Sequence, residues 1–448
     1  MKSVASEQGL AEKELKARAI IKRLSEAGFT AYLAGGCVRD HLLGLPAKDF
    51  DIATDATPET VQRIFPNTIA LGAMFGVIVV VLDGDNFEVT TFRADAEYLD
   101  GRRPKAVRYG SIEDDAARRD FTIGGMYLDP SAGRVIDLVG GMRDLRLGVI
   151  RAIGDPRERF REDRLRMLRA VRFAARLGFE IDAPTMAAIR EQAAALGEIS
   201  AERIGHEIVM ILTEGSAGRG LNLLRATGLL ASTLPEVLPL VGCEQPLNFH
   251  PEGDVYTHTC LMLSMLPRGC SETLAFGVLH HDIAKAPCRA VIDDKVTFFG
   301  HTDRGAEMAI EILARLRRPR AVQDRVAYLV RSHLRPCMAP RMRLATLKRM
   351  INEEGFEELL ELNRIDSLGS NSYLGYYHFC REALRKLPIE QVRLPRLITG
   401  DDLISLGFNP GPAFKEILRE VEDLQLDGAL GSRQAALDYV REHYPLSD

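Results

Sequence analysis

Asp49 and Asp51, in Lys48-Asp49-Phe50-Asp51-Ile52, lie two residues apart in a stretch of strand composition, where alternate side chains share a face. Adjacent carboxylates repel unless a cation neutralises them. A pair of Mg²⁺ ions bridging them to a nucleoside triphosphate would activate an attacking hydroxyl and stabilise the leaving pyrophosphate. Upstream, Tyr32-Leu33-Ala34-Gly35-Gly36-Cys37-Val38-Arg39-Asp40 reads as a strand, a Gly-Gly turn and a helix start. Gly35 and Gly36 would let backbone N–H groups approach a triphosphate, and Arg39 adds charge one turn in. Glu88, between Phe87 and Val89 on a later strand, is a third acid that could face the same metals. The plainer alternatives are a simple chain reversal at the glycines, a solvated edge strand for the aspartates and an ordinary exposed glutamate.

Over 162–177 the spacing predicts one helix. Leu165, Leu168, Val171, Phe173 and Ala174 are apolar, while Asp163, Arg166, Arg169 and Arg172 fall at i, i+3, i+6 and i+9 as a polar stripe. A carboxylate accepts from an exocyclic amine and a guanidinium donates to ring nitrogens or carbonyls, so an Asp–Arg pair can imitate a base-pairing edge. From spacing alone, an exposed helix with intrahelical ion pairs is the simpler account. Between 143 and 176, eleven arginines face five acids, a local excess of positive charge in a chain of net charge −5. Such a stripe suits a triphosphate and an RNA end, with salt-sensitive binding.

His258, the run His280-His281-Asp282, His301, His333 and Asp366 occur in or beside segments of helical pattern. Imidazoles and carboxylates suit Mn²⁺, Fe²⁺, Zn²⁺ or Ni²⁺, and Mg²⁺ where carboxylate and water dominate. A lone histidine is usually packing, but a His-Asp doublet with four further spaced candidates is a stronger signal.

The elements that must position these groups follow from the pattern. A helix is expected over 11–27, with Leu15, Ala19, Ile20 and Leu24 on one face. Strands are expected at 31–34, 50–53, 76–82, 87–91 and 135–138, and helical patterns dominate from residue 155 onward. The expected class is α+β, a small mixed-sheet head on an all-helical body. We divide it as 1–150, 151–240, 241–390 and 391–448, the Pro- and Gly-bearing stretch 235–253 and Pro-punctuated 387–395 being the candidate boundaries. At 448 residues there is room for two to four domains, and 46% hydrophobic with 27% charged residues excludes wholesale disorder and a polytopic membrane protein. The longest strongly apolar run, 77–82, is too short to span a bilayer, and the N-terminus lacks the order of a secretory signal. The chain is read as cytoplasmic and without a membrane partner. Seven cysteines without a C-x-x-C pair suggest neither a disulfide framework nor a zinc ribbon. Nothing in the sequence sets an oligomeric state.

In order, Gly35-Gly36-x-Val38-Arg39-Asp40, Asp49-x-Asp51, Arg118-Arg119-Asp120-Phe121-Thr122 and Glu162-Asp163-x-x-Arg166 resemble the motifs of class II tRNA nucleotidyltransferases, the CCA-adding enzymes, a family that includes bacterial poly(A) polymerases. The resemblance covers residues 28–230. It implies a nucleotidyltransferase head of polymerase-beta-like type, with Asp49 and Asp51 holding catalytic Mg²⁺ and Gly36 and Arg39 on the triphosphate. Arg119 and Asp120 would lie at the incoming nucleotide, Asp120 near the ribose, where a 2′-OH contact distinguishes ribonucleotides. Asp163 and Arg166 would read the base, and CTP, ATP and a tRNA 3′ end would be the substrates. Residues 258–366 resemble HD-domain phosphohydrolases: His258, His281, Asp282 and Asp366 would form a primary metal site, His301 and His333 a second, and Lys285 would help hold a phosphate. Ala284 replaces the glycine usual after that doublet.

Two departures bear on specificity. Gly124-Gly125 stand where the family has Asn-Ala, and Gly72-Ala73-Met74-Phe75-Gly76 where poly(A) polymerases carry a basic Gly-Arg-Arg-Phe-like element. The second favours tRNA end synthesis over open-ended tailing. The polar stretch 91–110 matches the family's flexible loop, against a CC-only enzyme, and leaves CCA and A-only addition both open. Competing readings are a protein that is chiefly an HD phosphohydrolase, a poly(A) polymerase, and an RNA-handling protein without either activity, its HD domain only gripping tRNA. The arginines at 315, 317, 318, 320 and 325 could meet tRNA or form a solvated face.

Overall fold

The computed structural model describes residues 2–72, 76–95, 107–246, 250–387 and 395–444. The chain forms two compact units, Met1–Pro235 and Glu236–Asp448. Among the described residues no helix is long and apolar enough to cross a membrane. All seven cysteines are unpaired.

In the first unit, β1 (Ala31–Ala34), β2 (Asp51–Thr54), β3 (Thr68–Gly72), β4 (Val77–Leu82), β5 (Asp85–Thr91), β6 (Met126–Asp129) and β7 (Arg134–Asp137) form one sheet ordered β3-β4-β5-β2-β1-β6-β7. Only the β2–β5 contact is parallel, so the sheet is mixed as expected. The short β3 and β6 were not anticipated. In β6, Met126, Tyr127 and Leu128 are all buried, so the alternation that marks a half-exposed strand is absent.

Helix α1 (Lys2–Glu26) covers the sheet, but through Ala17, Ile20, Ile21 and Leu24. Leu15 and Ala19, expected on the buried face, are exposed. The i, i+3, i+4, i+7 set delivers four apolar side chains to one line, which the set containing Leu15 does not. After β1 comes α2 (Gly36–Leu42), and later α3 (Ile112–Ala117), opened by a capping box between Ser111 and Asp114.

The single helix expected over 162–177 is two. Helix α4 (Pro156–Glu162) ends where Asp163 turns extended at φ −147°, and α5 (Leu165–Leu177) follows. Asp163 Oδ1 accepts the Leu165 N–H at 3.1 Å. A short side chain that captures a nearby N–H competes with helix continuation, so Asp163 ends one helix just before the next and does not sit inside either. Helix α6 (Ala201–Thr213) packs against α5.

The second unit carries α7 (Val255–Ser264), α8 (Glu272–His280), α9 (His301–Arg315), α10 (Arg320–Ser332) and α11 (Phe356–Gly369). Asp254 and Ser271 cap α7 and α8 by accepting from Thr257 and Leu274. The body is not wholly helical: 290–292 pairs with 295–297 across Asp293 and Asp294, both at positive φ, the geometry of a tight hairpin. In the first unit 149–150 pairs with 180–181. A further cluster, α12 (Gly400–Ser405), α13 (Pro412–Leu426) and α14 (Arg433–His443), buries Leu403, Ile417, Val421 and Val440 in a core of its own.

Candidate active site and metal centre

The β1–β2 register sets Ala34 opposite Asp51, which brings Asp51 against the turn that follows β1. Gly35 there has φ 73°, and a Cβ on it would lie 3.0 Å from an Arg119 guanidinium nitrogen, so both backbone and space call for glycine. This turn borders a cavity of about 560 Å³. Gly35, Gly36, Arg39, Asp49, Asp51, Arg119, Asp120, Asp163, Arg166, Arg169 and Arg172 all line it. Of the sequence-derived residues of the first unit only Glu88 does not line it. Asp49 also departs from expectation: β2 begins at Asp51, so Asp49 stands in the connection before the strand, its side chain 81% exposed. Phe50 is buried in the sheet core, which anchors that connection.

The cavity's cations are held by acids on neighbouring elements. Asp115 on α3 binds Arg118, Arg119 and the Tyr127 hydroxyl; against its burial, the two guanidiniums keep its carboxyl below the usual range. Asp120 pairs with Arg169 at 2.6 Å, and this cation outweighs burial to hold Asp120 low. Asp40 ties Arg39 to Arg176, at 2.7 and 2.8 Å. The guanidiniums of Arg39, Arg169 and Arg172 lie 5.2, 5.4 and 4.7 Å from the Phe173 ring, which braces three cations by its π face. Arg166 donates to Glu162, at 2.6 Å, and to the Arg159 and Arg118 carbonyls.

At the carboxylate end, β2–β5 pairing of Ile52 with Val89 places Glu88 beside Asp51. Burial, then the charge of Glu88, push the Asp51 carboxyl up to about 6, with Arg119 opposing. Lys13 from α1 reaches Asp49 Oδ1 at 3.0 Å and the Lys48 carbonyl at 3.1 Å. A half-buried carboxylate destabilised by its acidic neighbours is a fitting donor for a divalent cation.

Residues that sequence reasoning missed lie on α6. Arg203 donates to Asp163 Oδ2 at 2.9 Å. Glu207 lies 3.5 Å from Arg172; burial raises the Glu207 carboxyl and lowers the Arg172 guanidinium. Arg203 and Glu207 are spaced i, i+4 on a helix otherwise rich in buried apolar residues, and that spacing was the available signal. Gly125, in place of the family's alanine, has a steric reason: a Cβ there would lie 2.6 Å from Val139 and 3.1 Å from Ile153. Gly124 contributes its carbonyl to Arg119 at 3.3 Å. Residues 73–75 and 96–106, in the segments read for tailing and for the flexible loop, lie outside the described residues.

In the second unit, His258, His281 and Asp366 form one group whose ligand atoms lie within 4.8 Å of one another, and Asp282, His301 and His333 form another. Asp282 links them: Oδ2 is 3.1 Å from His281 Nε2, and Oδ1 is 3.5 Å from His301 Nε2. The sequence reading put Asp282 with His258; the geometry puts it between the groups. His281, His301 and His333 each direct Nδ1 at the carbonyl three residues before, at 2.7–2.8 Å, which leaves Nε2 facing inward. His301 Nε2 and Asp282 Oδ1 are buried without a hydrogen-bond partner, and the contact of His281 Nε2 with Asp282 Oδ2 is not aligned as a hydrogen bond, a donor set suited to a divalent cation. Burial lowers His333 to about 4, favouring the neutral imidazole that a metal needs. Lys285 donates to Gln245 and pairs with Asp282, both at 2.6 Å, and Ala284 adopts φ −93°, which needs no glycine. Of the flanking arginines, 315, 318, 320 and 325 pair with Glu236, Glu272, Asp324 and Glu354.

Comparison with known proteins matches three stretches of the chain. A model described as the poly A polymerase head domain matches residues 31–151, one described as a probable RNA- and SrmB-binding site of polymerase A matches 178–240, and an HD domain matches 255–367. The CCA-adding enzyme of Bacillus licheniformis is 46% identical over 216 residues and that of Geobacillus stearothermophilus 47% over 217. Each match spans 48% of this chain and 54% of the relative, so the chain covers about half the length of the curated relatives it matches. The crystal structure of the Bacillus stearothermophilus CCA-adding enzyme with CTP aligns over 97% of this chain and 98% of its own, at TM-score 0.73 and 28% identity. The Thermotoga maritima CCA-adding enzyme complexed with tRNA shares the fold, at TM-score 0.57 and 20% identity over 97% of both chains.

Proposed function

We propose that the chain is a nucleotidyltransferase of the poly(A) polymerase head-domain type, its head followed by an RNA-binding region and an HD domain, and that it adds CCA, or its terminal A, to the tRNA 3′ end from CTP and ATP. The observation that carries the reading is that one cavity joins the Asp49 and Asp51 carboxylates and the Gly35-Gly36 turn to Asp163 and a set of braced arginines.

In this reading residues 1–150 supply the chemistry, 151–240 the base selection, 241–390 the second metal centre and 391–448 a helical tail, in the cytoplasm. Asp49 and Asp51 would hold Mg²⁺, which when bound lowers the barrier to in-line attack at the α-phosphate and neutralises the departing pyrophosphate. Burial, and then Glu88 beside it, keep the proton affinity of Asp51 high and so sharpen its demand for a cation. The turn at Gly35-Gly36 and Arg39 receive the triphosphate, while Arg119 and Asp120 meet the sugar. Asp163 accepts from the amine of cytosine or adenine and Arg166 donates to the ring. Because Asp115, Asp120 and Glu207 already hold the arginines, little reorganisation is needed when the polyanion arrives. Primer extension on tRNA transcripts ending before CCA, after C and after CC tests this directly. Completion of all three establishes CCA addition, growth of the CC end alone makes it an A-adding enzyme, and no incorporation overturns the proposal.

A second activity is favoured by the partnerless ligand atoms around Asp282. We propose that this centre takes Mg²⁺ or a divalent transition metal and hydrolyses phosphate esters, with Lys285 beside the phosphate. Hydrolysis of a chromogenic phosphate ester that survives in His281→Ala/Asp282→Ala would overturn that assignment.

A further inference from the structure

We propose that Glu252 is the positioning carboxylate of the HD metal centre, holding His258 with Nδ1 protonated so that Nε2 is presented on the side shared with His281 and Asp366. The inference rests on the HD reading above. His258 differs from the centre's other histidines. His281, His301 and His333 each have Nδ1 fixed by a carbonyl three residues earlier on their own segment, at 2.7–2.8 Å. His258 is placed differently: its Nδ1 lies in ion-pair contact, 2.6 Å from Glu252 Oε1, though not aligned as a hydrogen bond, and its Nε2 lies 3.1 Å from Asp366 Oδ1. The ring is wholly buried, so water cannot replace the carboxylate.

Glu252 is itself well placed to serve. Its side chain is 10% exposed, and the same Oε1 lies 2.9 Å from His250 Nδ1. The His250 ring packs edge-on against His258, centroids 4.8 Å apart, and so limits rotation of the His258 ring. A metal-bound imidazole donates its other N–H to a carboxylate in many sites, which fixes the tautomer and raises ligand basicity, and losing that partner weakens metal affinity about 10–100-fold. His250, Glu252 and His258 also lie close enough to hold an ion themselves. Such an ion would take His258 Nδ1 while the neighbouring group takes Nε2, which requires a doubly deprotonated, bridging imidazolate. The positioning role needs only the neutral ring.

The test uses full-length protein in an Asp49→Ala/Asp51→Ala background, stripped of metal and titrated calorimetrically with Mn²⁺. Glu252→Ala is expected to weaken Mn²⁺ binding about 10–100-fold at unchanged stoichiometry, Glu252→Gln, which keeps a neutral acceptor, to fall between, and His250→Ala to stay within about threefold. In Zn²⁺-loaded protein, Glu252→Ala should also lose the hydrogen-bonded His258 Nδ1–H proton resonance. Wild-type affinity and an unchanged resonance in Glu252→Ala would overturn the inference while leaving the HD reading intact. A loss of one bound ion in His250→Ala would overturn it in favour of an ion at His250. If His281→Ala/Asp282→Ala binds Mn²⁺ as the parent does, the HD reading itself fails. Should Glu252→Ala not fold, Glu252→Gln carries the test, and parental affinity there, with the resonance unchanged, overturns the inference.

Discussion

In the cavity of the first unit most cations face an acid, Arg119 with Asp115, Arg169 with Asp120 and Arg203 with Asp163, although Arg172 Nε and Glu207 Oε2 are buried without a hydrogen bond; in the second unit the buried unbonded atoms include metal-ligating ones, His301 Nε2 and Asp282 Oδ1. The first arrangement suits a ligand that is large, anionic and exchanged at every turnover, because guanidiniums held by acids keep their geometry when it leaves. The second suits a small cation that stays. Leaving buried donor atoms partnerless costs stability unless something completes them, so that centre is built around its occupant. On the proposed reading each unit has its own chemistry, and the sharpest test is to break one at a time.

Asp49→Ala/Asp51→Ala should lower nucleotide incorporation by at least about 10³-fold and leave phosphoesterase activity unchanged, while His281→Ala/Asp282→Ala should do the reverse. Both activities are measured on both proteins. Loss of phosphoesterase activity in the first variant would show that the two sites are one functional unit.

A smaller effect is expected where the paired-cation design is loosened. Asp163 is held by the Leu165 N–H on one oxygen and by Arg203 on the other. Arg203→Ala should reduce kcat/KM for CTP about 10–100-fold, the cost of freeing a charged hydrogen-bonded partner, and should narrow discrimination against UTP. Uniform loss for CTP and UTP would make Arg203 a fold-stabilising residue instead.

This difference between the units also explains what the sequence made legible. The candidate metal centre was partly legible because its ligand types are chemically distinctive and three of them, His281, His301 and His333, are anchored by a carbonyl three residues back, whereas the place of Asp282 between the groups depends on packing. Glu252 was missed because its partner is a side chain. In the head, the Gly35-Gly36 turn was legible, and so were five of the seven strands of the main sheet near their observed positions, whereas Asp49 was expected on the strand and stands before it. Asp163 was assigned to the inside of a helix because its apolar neighbours keep helical period. Its own bond to the Leu165 N–H overrides that period. Arg203 and Glu207 were missed for a related reason: their partners are 40 and 35 residues away in sequence, and only tertiary packing of α6 on α5 joins them.

The acidic end of the first cavity gives a titration that the second unit does not share. With Asp51 raised to about 6 in the folded chain from 3.8, the folded state binds an extra proton between those values. This group therefore favours folding at low pH, and its contribution is lost as pH rises through 6. Ionised Asp51 then costs on the order of 2 kcal/mol at pH 7.5 after allowance for partial exposure. Metal-free Asp51→Asn should melt a few degrees higher than the parent at pH 7.5, with the gap closing toward pH 4. Mn²⁺ affinity at this site, measured in His281→Ala/Asp282→Ala, should fall about tenfold per pH unit below 6 because the ion must displace the proton. A melting difference independent of pH would remove the ionised carboxylate as its cause.

The smallest effect is expected at Lys13, where the first cavity most nearly copies the second by offering a cation to an otherwise unpaired carboxylate. Lys13 Nζ and a divalent ion compete for the same Asp49 Oδ1. With Asp49 81% exposed, the ion pair is worth roughly 0.2–1 kcal/mol, so Lys13→Ala should tighten Mn²⁺ binding only about 1.5–5-fold. Since the pair is solvent-screened, the gain should vanish at high ionic strength, a signature that steric crowding by the lysine would not show. Weaker binding in Lys13→Ala would instead mean that the lysine holds Asp49 in its ligating position, and that the first cavity, like the HD centre, depends on a neighbour from outside the ligand set to orient its metal donor.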